Sequence, residues 1–130
     1  MNIKCDFYKN RDKGIINPIL FSEIAEQCSC KIHESGGEKA NKRTQIRRFY
    51  DEVQRLNTAA KLNSDDWDNI LPYVNMLIAK AVYAQGRKLV STDFVDFLKD
   101  CISQVKLPRD LEIFANFFEA FMGYYRQYGS

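Results

Sequence analysis

The stretch Lys39-Ala40-Asn41-Lys42-Arg43-Thr44-Gln45-Ile46-Arg47-Arg48-Phe49-Tyr50-Asp51-Glu52-Val53-Gln54-Arg55-Leu56-Asn57-Thr58-Ala59-Ala60-Lys61 decides the fold. Ile46, Phe49, Tyr50, Val53, Leu56 and Ala60 recur at helical spacing, which gathers them into one apolar stripe of an α-helix. The other side is basic. Seven Lys or Arg residues and two acids give this window a net charge of +5, while the whole chain of 130 residues carries +2. Everything outside the window therefore sums to −3. Positive charge concentrated on one element, in an otherwise mildly acidic chain, points to a polyanion-binding face.

A solvated face laced with weak ion pairs is the competing reading. Arg47 and Asp51, Arg48 and Glu52, and Asp51 and Arg55 each stand four residues apart. Position argues against it. At about 100° per residue, Arg43, Arg47 and Gln54 line one flank of the stripe with no acid in the row. Lys42, Arg43, Arg47 and Arg48 fall in the first turns, where the helix dipole is positive and each cation costs roughly a few tenths of a kcal/mol. A bound phosphate backbone reverses that sign, because exposed helix N–H groups and arginines then act on the same anion.

Outward from this helix, every segment with a period reads as helical. Asn17-Pro18 is a helix start, and the helix runs to about Lys31 with Leu20, Phe21, Ile24 and Cys28 inside. Ser35-Gly36-Gly37-Glu38 reads as a flexible loop feeding the basic helix. Asn63-Ser64-Asp65-Asp66 ends that helix and caps a third, from about Asp65 to Gly86. Pro72 either kinks the third helix or splits it. Tyr73, Met76 and Tyr83 widen its apolar surface, which suits a central position. Ser91-Thr92-Asp93 caps a fourth helix with one clean face, Phe94, Phe97, Leu98, Cys101, Ile102 and Val105. Leu107-Pro108 breaks it, and a last helix runs from about Arg109 to Tyr128. That helix is apolar nearly all round, so it is either fully enclosed or half used for contact between copies. The expectation is an all-α, compact single-domain bundle over residues 1–130, of five helices or six if Pro72 splits the third. Residues 1–16 are expected to form a loosely ordered N-terminal arm, with no strand anywhere.

Composition bounds the function. The chain is 45% hydrophobic and 13% aromatic, enough to fill one core without disulfides. Met1 to Lys13 is polar, without the apolar segment of a secretory signal, and no apolar run approaches the roughly 20 residues of a membrane span. No membrane is expected as a partner, and a reducing cytoplasm fits best. Cys28 and Cys30 lack zinc-site spacing, Cys101 falls on a core face, and His33 has neither a nucleophile nor a ligand set beside it. No Gly-rich phosphate loop is present, so no cofactor and no metal are expected. Asp93, Asp96 and Asp100 read as a solvated helix face, and Asp65, Asp66 and Asp68 as capping acids. Nothing here argues for an enzyme. Arg87-Lys88 follow Gly86 at a helix end, either as ordinary caps or as an extension of the basic face.

Two stretches carry a resemblance. Gln45-Ile46-Arg47-Arg48-Phe49-Tyr50-Asp51-Glu52-Val53 resembles the signature helix of the small subunit of type III-A CRISPR effector complexes, the Csm complexes. Lys80-Ala81-Val82-Tyr83-Ala84-Gln85-Gly86-Arg87 resembles that family's second signature, at the end of its long central helix. The aromatic last helix, with Phe117-Phe118-Glu119-Ala120 and Tyr124-Tyr125, is similar too, and the likeness covers roughly residues 18 to 128. The resemblance implies an all-α, non-enzymatic subunit. Several copies of it stack as an inner filament along the duplex of crRNA and target RNA, beside the other Csm complex subunits. It implies backbone contacts from Arg47, Arg48 and Arg87, flanked by Lys42, Arg43 and Lys88, with Arg55 on the same basic helix. Lys42-Arg43 stand where the family often carries helix-capping hydroxyls, and only Thr44 supplies one here, so the resemblance implies an earlier helix start, near Ser35 to Asn41.

The physics agrees with what the resemblance implies. Lys and Arg supply affinity for phosphates without base specificity, which suits a protein that must accept any guide and target. Two alternatives stay open. A helical DNA-binding module would place Asn, Gln or Arg against bases after a tight turn, but Glu34 to Asn41 is long for that turn. A protein-interaction bundle without nucleic-acid binding would leave the basic helix as a solvated or partner-binding face.

Overall fold

The computed structural model describes residues 4–129. Five α-helices dominate: α1 (Ala25–Gly36), α2 (Arg43–Leu62), α3 (Trp67–Gly86), α4 (Thr92–Ser103) and α5 (Pro108–Tyr125). A π-helical turn at Leu20–Ile24 leads into α1, a 3₁₀ turn at Ser64–Asp66 joins α2 to α3, and another at Arg126–Tyr128 follows α5. The architecture is all-α, as the periodicity implies. Pro72 lies inside a continuous α3, so the helix is not split.

The last helix forms the centre. α5 packs against both α1 and α2, while α3 packs on α4 and α2. Leu111, Ile113, Phe114, Phe117, Phe118, Phe121 and Tyr125 are all buried. Of the two ways to satisfy an all-round apolar helix, enclosure is the one adopted. Phe97 of α4 joins it: the Phe97 ring lies 5.1 to 5.8 Å from those of Phe117, Phe118 and Phe121. Such ring pairs add roughly 0.5–1.5 kcal/mol each beyond their buried area. The expectation that α3 is central is corrected. Tyr73, Met76, Val82 and Tyr83 are exposed, whereas Trp67, Ile70, Val74, Leu77, Ala81 and Ala84 are buried and Leu71 and Ile78 partly so. The apolar side chains on its outer face made an outer helix look like an inner one.

The N-terminal segment overturns a second expectation. Residues 4–16 of the expected arm are not loose, and Met1–Ile3 lie outside the described residues. Strands β1 (Tyr8–Asn10) and β2 (Ile15–Ile16) pair antiparallel, with Tyr8 opposite Ile16 and a register shift before Asn10 meets Ile15. Gly14, at φ 66°, supplies the left-handed residue of the turn. Two strands this short are not stable alone. They are held from outside: Cys5 and Phe7 are buried, and Phe7 stacks on Phe114 and meets Phe117 edge-on. The Cys5 N–H donates to Asp100, the Phe7 N–H donates to Gln104, and Gln104 donates back to the Cys5 carbonyl. Further along, Tyr8 and Arg11 both donate to Asp110, each at 2.6 Å.

Local boundaries shift for identifiable reasons. α1 continues past Lys31 to Gly36, and Phe21 is exposed while Ile24 is only partly buried. The basic helix begins at Arg43, later than Ser35–Asn41, because Asn41 takes a left-handed φ of 59° and ends any earlier helical run. Ser91 caps α4 as its sequence implies, accepting from the Phe94 N–H at 3.2 Å.

Candidate nucleic-acid interface

Asn41 sets where the basic helix points. It is buried, and its side chain donates to the Ile32 carbonyl and to Ser91 Oγ, each at 2.8 Å. Its amide oxygen accepts from the Ser91 N–H, and its own N–H donates to the Leu89 carbonyl. Its carbonyl accepts from the Tyr125 hydroxyl, whose pKa burial pushes up to about 12, so that it stays protonated. One residue thus ties together the end of α1, the α3–α4 loop and the end of α5. Every polar group of Asn41 has a partner, which a buried amide requires.

From that anchor, α2 divides its cations between two sides. Its stripe of Ile46, Phe49, Val53, Leu56 and Ala60 is buried, and Tyr50 is partly so. On the side of α5, Gln54 donates to the Ala115 carbonyl at 3.0 Å, so the row of Arg43, Arg47 and Gln54 is partly committed to structure. Arg47 lies 3.9 Å from Asp51, both well exposed, an approach worth little. On the side of α3, Arg48 reaches a groove of about 330 Å³ together with Lys80, Tyr83 and Arg87. Phe49, Leu77, Ala84 and Leu89 form its apolar lining. The Arg87 guanidinium sits over the Tyr83 ring, 5.8 Å from its centroid.

Arg55 plays a different part from the other candidates. Both its Nε and an Nη donate to the Glu52 carboxylate at 3.0 Å. Lys80 approaches the same carboxylate at 3.8 Å. The Arg55 hydrogen bond, against burial and with the charges of Arg55 and Lys80, holds the Glu52 carboxyl below its usual range. Arg55 therefore neutralises the one acid in the groove wall. Among the described residues neither Arg48 nor Arg87 forms an ion pair.

The remaining candidates lie elsewhere. Lys42 and Arg43 line a smaller recess of about 150 Å³ with His33, Glu38 and Tyr128. His33 stacks on Tyr128 at 4.1 Å with the rings nearly parallel. Lys88 is exposed, with a left-handed φ of 62°, just beyond α3. The seven sequence candidates thus form no single cluster. The fold brings Arg48 and Arg87 to one groove across 39 positions of sequence, separates Lys42 and Arg43 from it, and commits Arg55 to a carboxylate. Sequence reading missed Lys80 and Tyr83 as groove residues. Their signal was available in helical spacing, since Lys80, Tyr83, Ala84 and Arg87 share one face.

Among the described residues no group of His, Cys, Asp or Glu side chains could hold a metal ion, and no helix is long and apolar enough to cross a membrane. The three buried thiols Cys5, Cys28 and Cys101 meet where the N-terminal segment joins α1 and α4, with 3.2 Å between the sulfurs of Cys5 and Cys28. The hydrogen bond with Cys101 and burial push the Cys5 thiol up, despite the opposing Cys28 bond. Cys28 is raised by its bond with Cys5 and by burial, and Cys101 by burial. All three are fully buried, and burial in apolar surroundings disfavours the reactive thiolate.

No curated protein and no solved structure matches the chain. A family model described as Csm2 Type III-A matches residues 21–130, which takes in both signature stretches and all five helices. The hairpin and the residues before it precede the matched span. The chain belongs to the Csm2 Type III-A family, the small subunits of the type III-A CRISPR Csm complex.

Proposed function

We propose that this chain is a non-catalytic RNA-binding subunit of the RNA-guided interference complex in antiviral defence, acting in the cytoplasm. Copies of it stack as an inner filament along the crRNA–target RNA. They hold its phosphate backbone through Arg48 and Arg87, with Lys42, Arg43, Arg47 and Lys88 at the edges. The observation that carries this reading is the convergence of Arg48, Lys80 and Arg87 on one groove whose only acid is tied to Arg55. Such a surface binds phosphates and reads no base edge, which leaves sequence recognition to base pairing. The exposed apolar side chains Tyr73, Met76 and Val82 on α3 support contact with neighbouring subunits.

The test is the Arg48→Ala, Arg87→Ala double variant, tagged and purified from cells that carry the rest of the complex. Both side chains are exposed, so the helical content and melting temperature stay as in the parent. Retained RNA falls. In titrations of the purified chain with single-stranded RNA, the salt slope flattens by about 0.7 for each phosphate no longer neutralised. Unchanged RNA retention would refute the reading in favour of a protein-interaction bundle. Preference for one DNA duplex sequence would favour the helical DNA-binding module.

A further inference from the structure

We propose that the groove between α2 and the end of α3 takes one unpaired nucleotide of an RNA strand, its base stacked on Tyr83 and its phosphates on Arg48 and Arg87. This rests on the RNA-binding reading above and adds to it a residue and a ligand conformation.

Tyr83 is 68% exposed, one turn from the end of α3. A large ring left in water forgoes the gain that burial would bring. Arg87, four residues on, lies over it and holds one cation against the aromatic ring. Arg48 faces the same space from α2. Glu52 does not oppose an anion there, because Arg55 holds its carboxylate with two hydrogen bonds and Lys80 approaches it as well. The groove of about 330 Å³ lies at the small end of ligand-binding clefts, the scale of a single residue of a polymer.

A flat exposed ring flanked by cations is the combination that binds single-stranded nucleic acid. A base inside a duplex has both faces covered by its neighbours, so only an unstacked base can meet Tyr83. Every base presents a π-face, which makes this interaction tolerant of sequence. An acidic peptide would satisfy Arg48 and Arg87 but would leave the ring unused.

The test compares Tyr83→Ala, Tyr83→Phe and the Arg48→Ala, Arg87→Ala pair in the full chain, at low salt. The probes are a mixed-sequence single-stranded 12-nucleotide RNA and an abasic ribose-phosphate strand of the same length. Tyr83→Ala is expected to weaken the RNA by about 5- to 150-fold, the range set by stacking of one base on an aromatic side chain. It leaves the salt slope and the abasic strand unchanged, and Tyr83→Phe retains binding. If Tyr83→Ala binds RNA like the parent, or weakens both strands equally, the nucleotide pocket is wrong. If Tyr83→Ala also releases a protein subunit from the assembled complex while RNA binding is intact, the ring is a protein contact instead. Loss of binding in the arginine pair with a silent Tyr83→Ala overturns this proposal alone. No binding of either probe by the parent chain, or no effect of the arginine pair, overturns the RNA-binding reading and this one with it.

Discussion

Asn41 and Asp110 show how much a single buried polar side chain can organise. Asn41 combines a left-handed backbone with hydrogen bonds to Ile32 and Ser91, so Asn41→Ala loses both the bonds and a residue tolerant of that φ. We expect a cost of about 2–4 kcal/mol by denaturant titration. Asn41→Gly restores the backbone freedom but not the bonds, so it recovers only the smaller part. Asp110 is 1% exposed and accepts from Tyr8, Arg11 and the backbone N–H groups of Lys106 and Leu107. Burial acts to raise its carboxyl, but the Arg11 and Tyr8 bonds and those two backbone donors outweigh it and hold it below the usual range. A depressed carboxylate contributes stability above the unfolded value, about 3.9, and loses it as the pH falls toward the native value. Asp110→Asn should therefore cost about 2–3 kcal/mol at pH 7. The gap to the parent should narrow as melting is repeated from pH 5 to pH 3. A gap independent of pH would mean that shape, not charge, is what Asp110 supplies. Neither role was legible in the sequence, because the partners of Asp110 lie up to 102 positions away and its place near a helix start reads as an ordinary acid.

Helices carry most of what could be read locally. The stripes of α2 and α4 are buried as their spacing implies, since 3.6 residues per turn fixes which side chains share a face. Spacing alone does not say which face meets another helix. α3 and α5 both carry apolar residues on more than one side, yet α5 is enclosed and α3 exposes Tyr73, Met76 and Tyr83. Pro72 marks the cost of α3's continuity: it is the sixth residue of the helix and cannot donate to the Asp68 carbonyl. Since Pro72 is exposed, Pro72→Ala restores that bond without disturbing the core and should stabilise the fold by roughly 2 kcal/mol. A lower melting temperature in Pro72→Ala would mean that the proline ring holds a bend on which α3 depends. The candidate groove follows the same division. Arg48 and Arg87 stood out in their own stretches, but Lys80 and Tyr83 gained meaning only when α2 was laid beside α3.

At the scale of the whole molecule, the N-terminal segment is built into the core that the family span contributes. It covers Cys28 with Cys5 and packs Phe7 on Phe114 and Phe117. The prediction that follows concerns thiol access. Of the four free cysteines, only Cys30 is not buried. A thiol-reactive disulfide reagent at about pH 8 should titrate one group in the folded chain and all four after unfolding. Rapid reaction of three or more groups in the native state would show that the segment opens readily and is weakly held. By itself, the sequence determined the helical class, the buried stripes of α2 and α4, the concentration of positive charge on α2 and the two signature stretches. Each of these is a property of residues close together along the chain, where helical geometry leaves little choice. Tertiary structure alone decided that residues 4–17 dock, that α5 and not α3 is enclosed, that Arg55 is given to Glu52, and that Arg48 and Arg87 line one groove. Those outcomes depend on which element covers which face and on hydrogen bonds between distant residues, and neither is encoded in a local period.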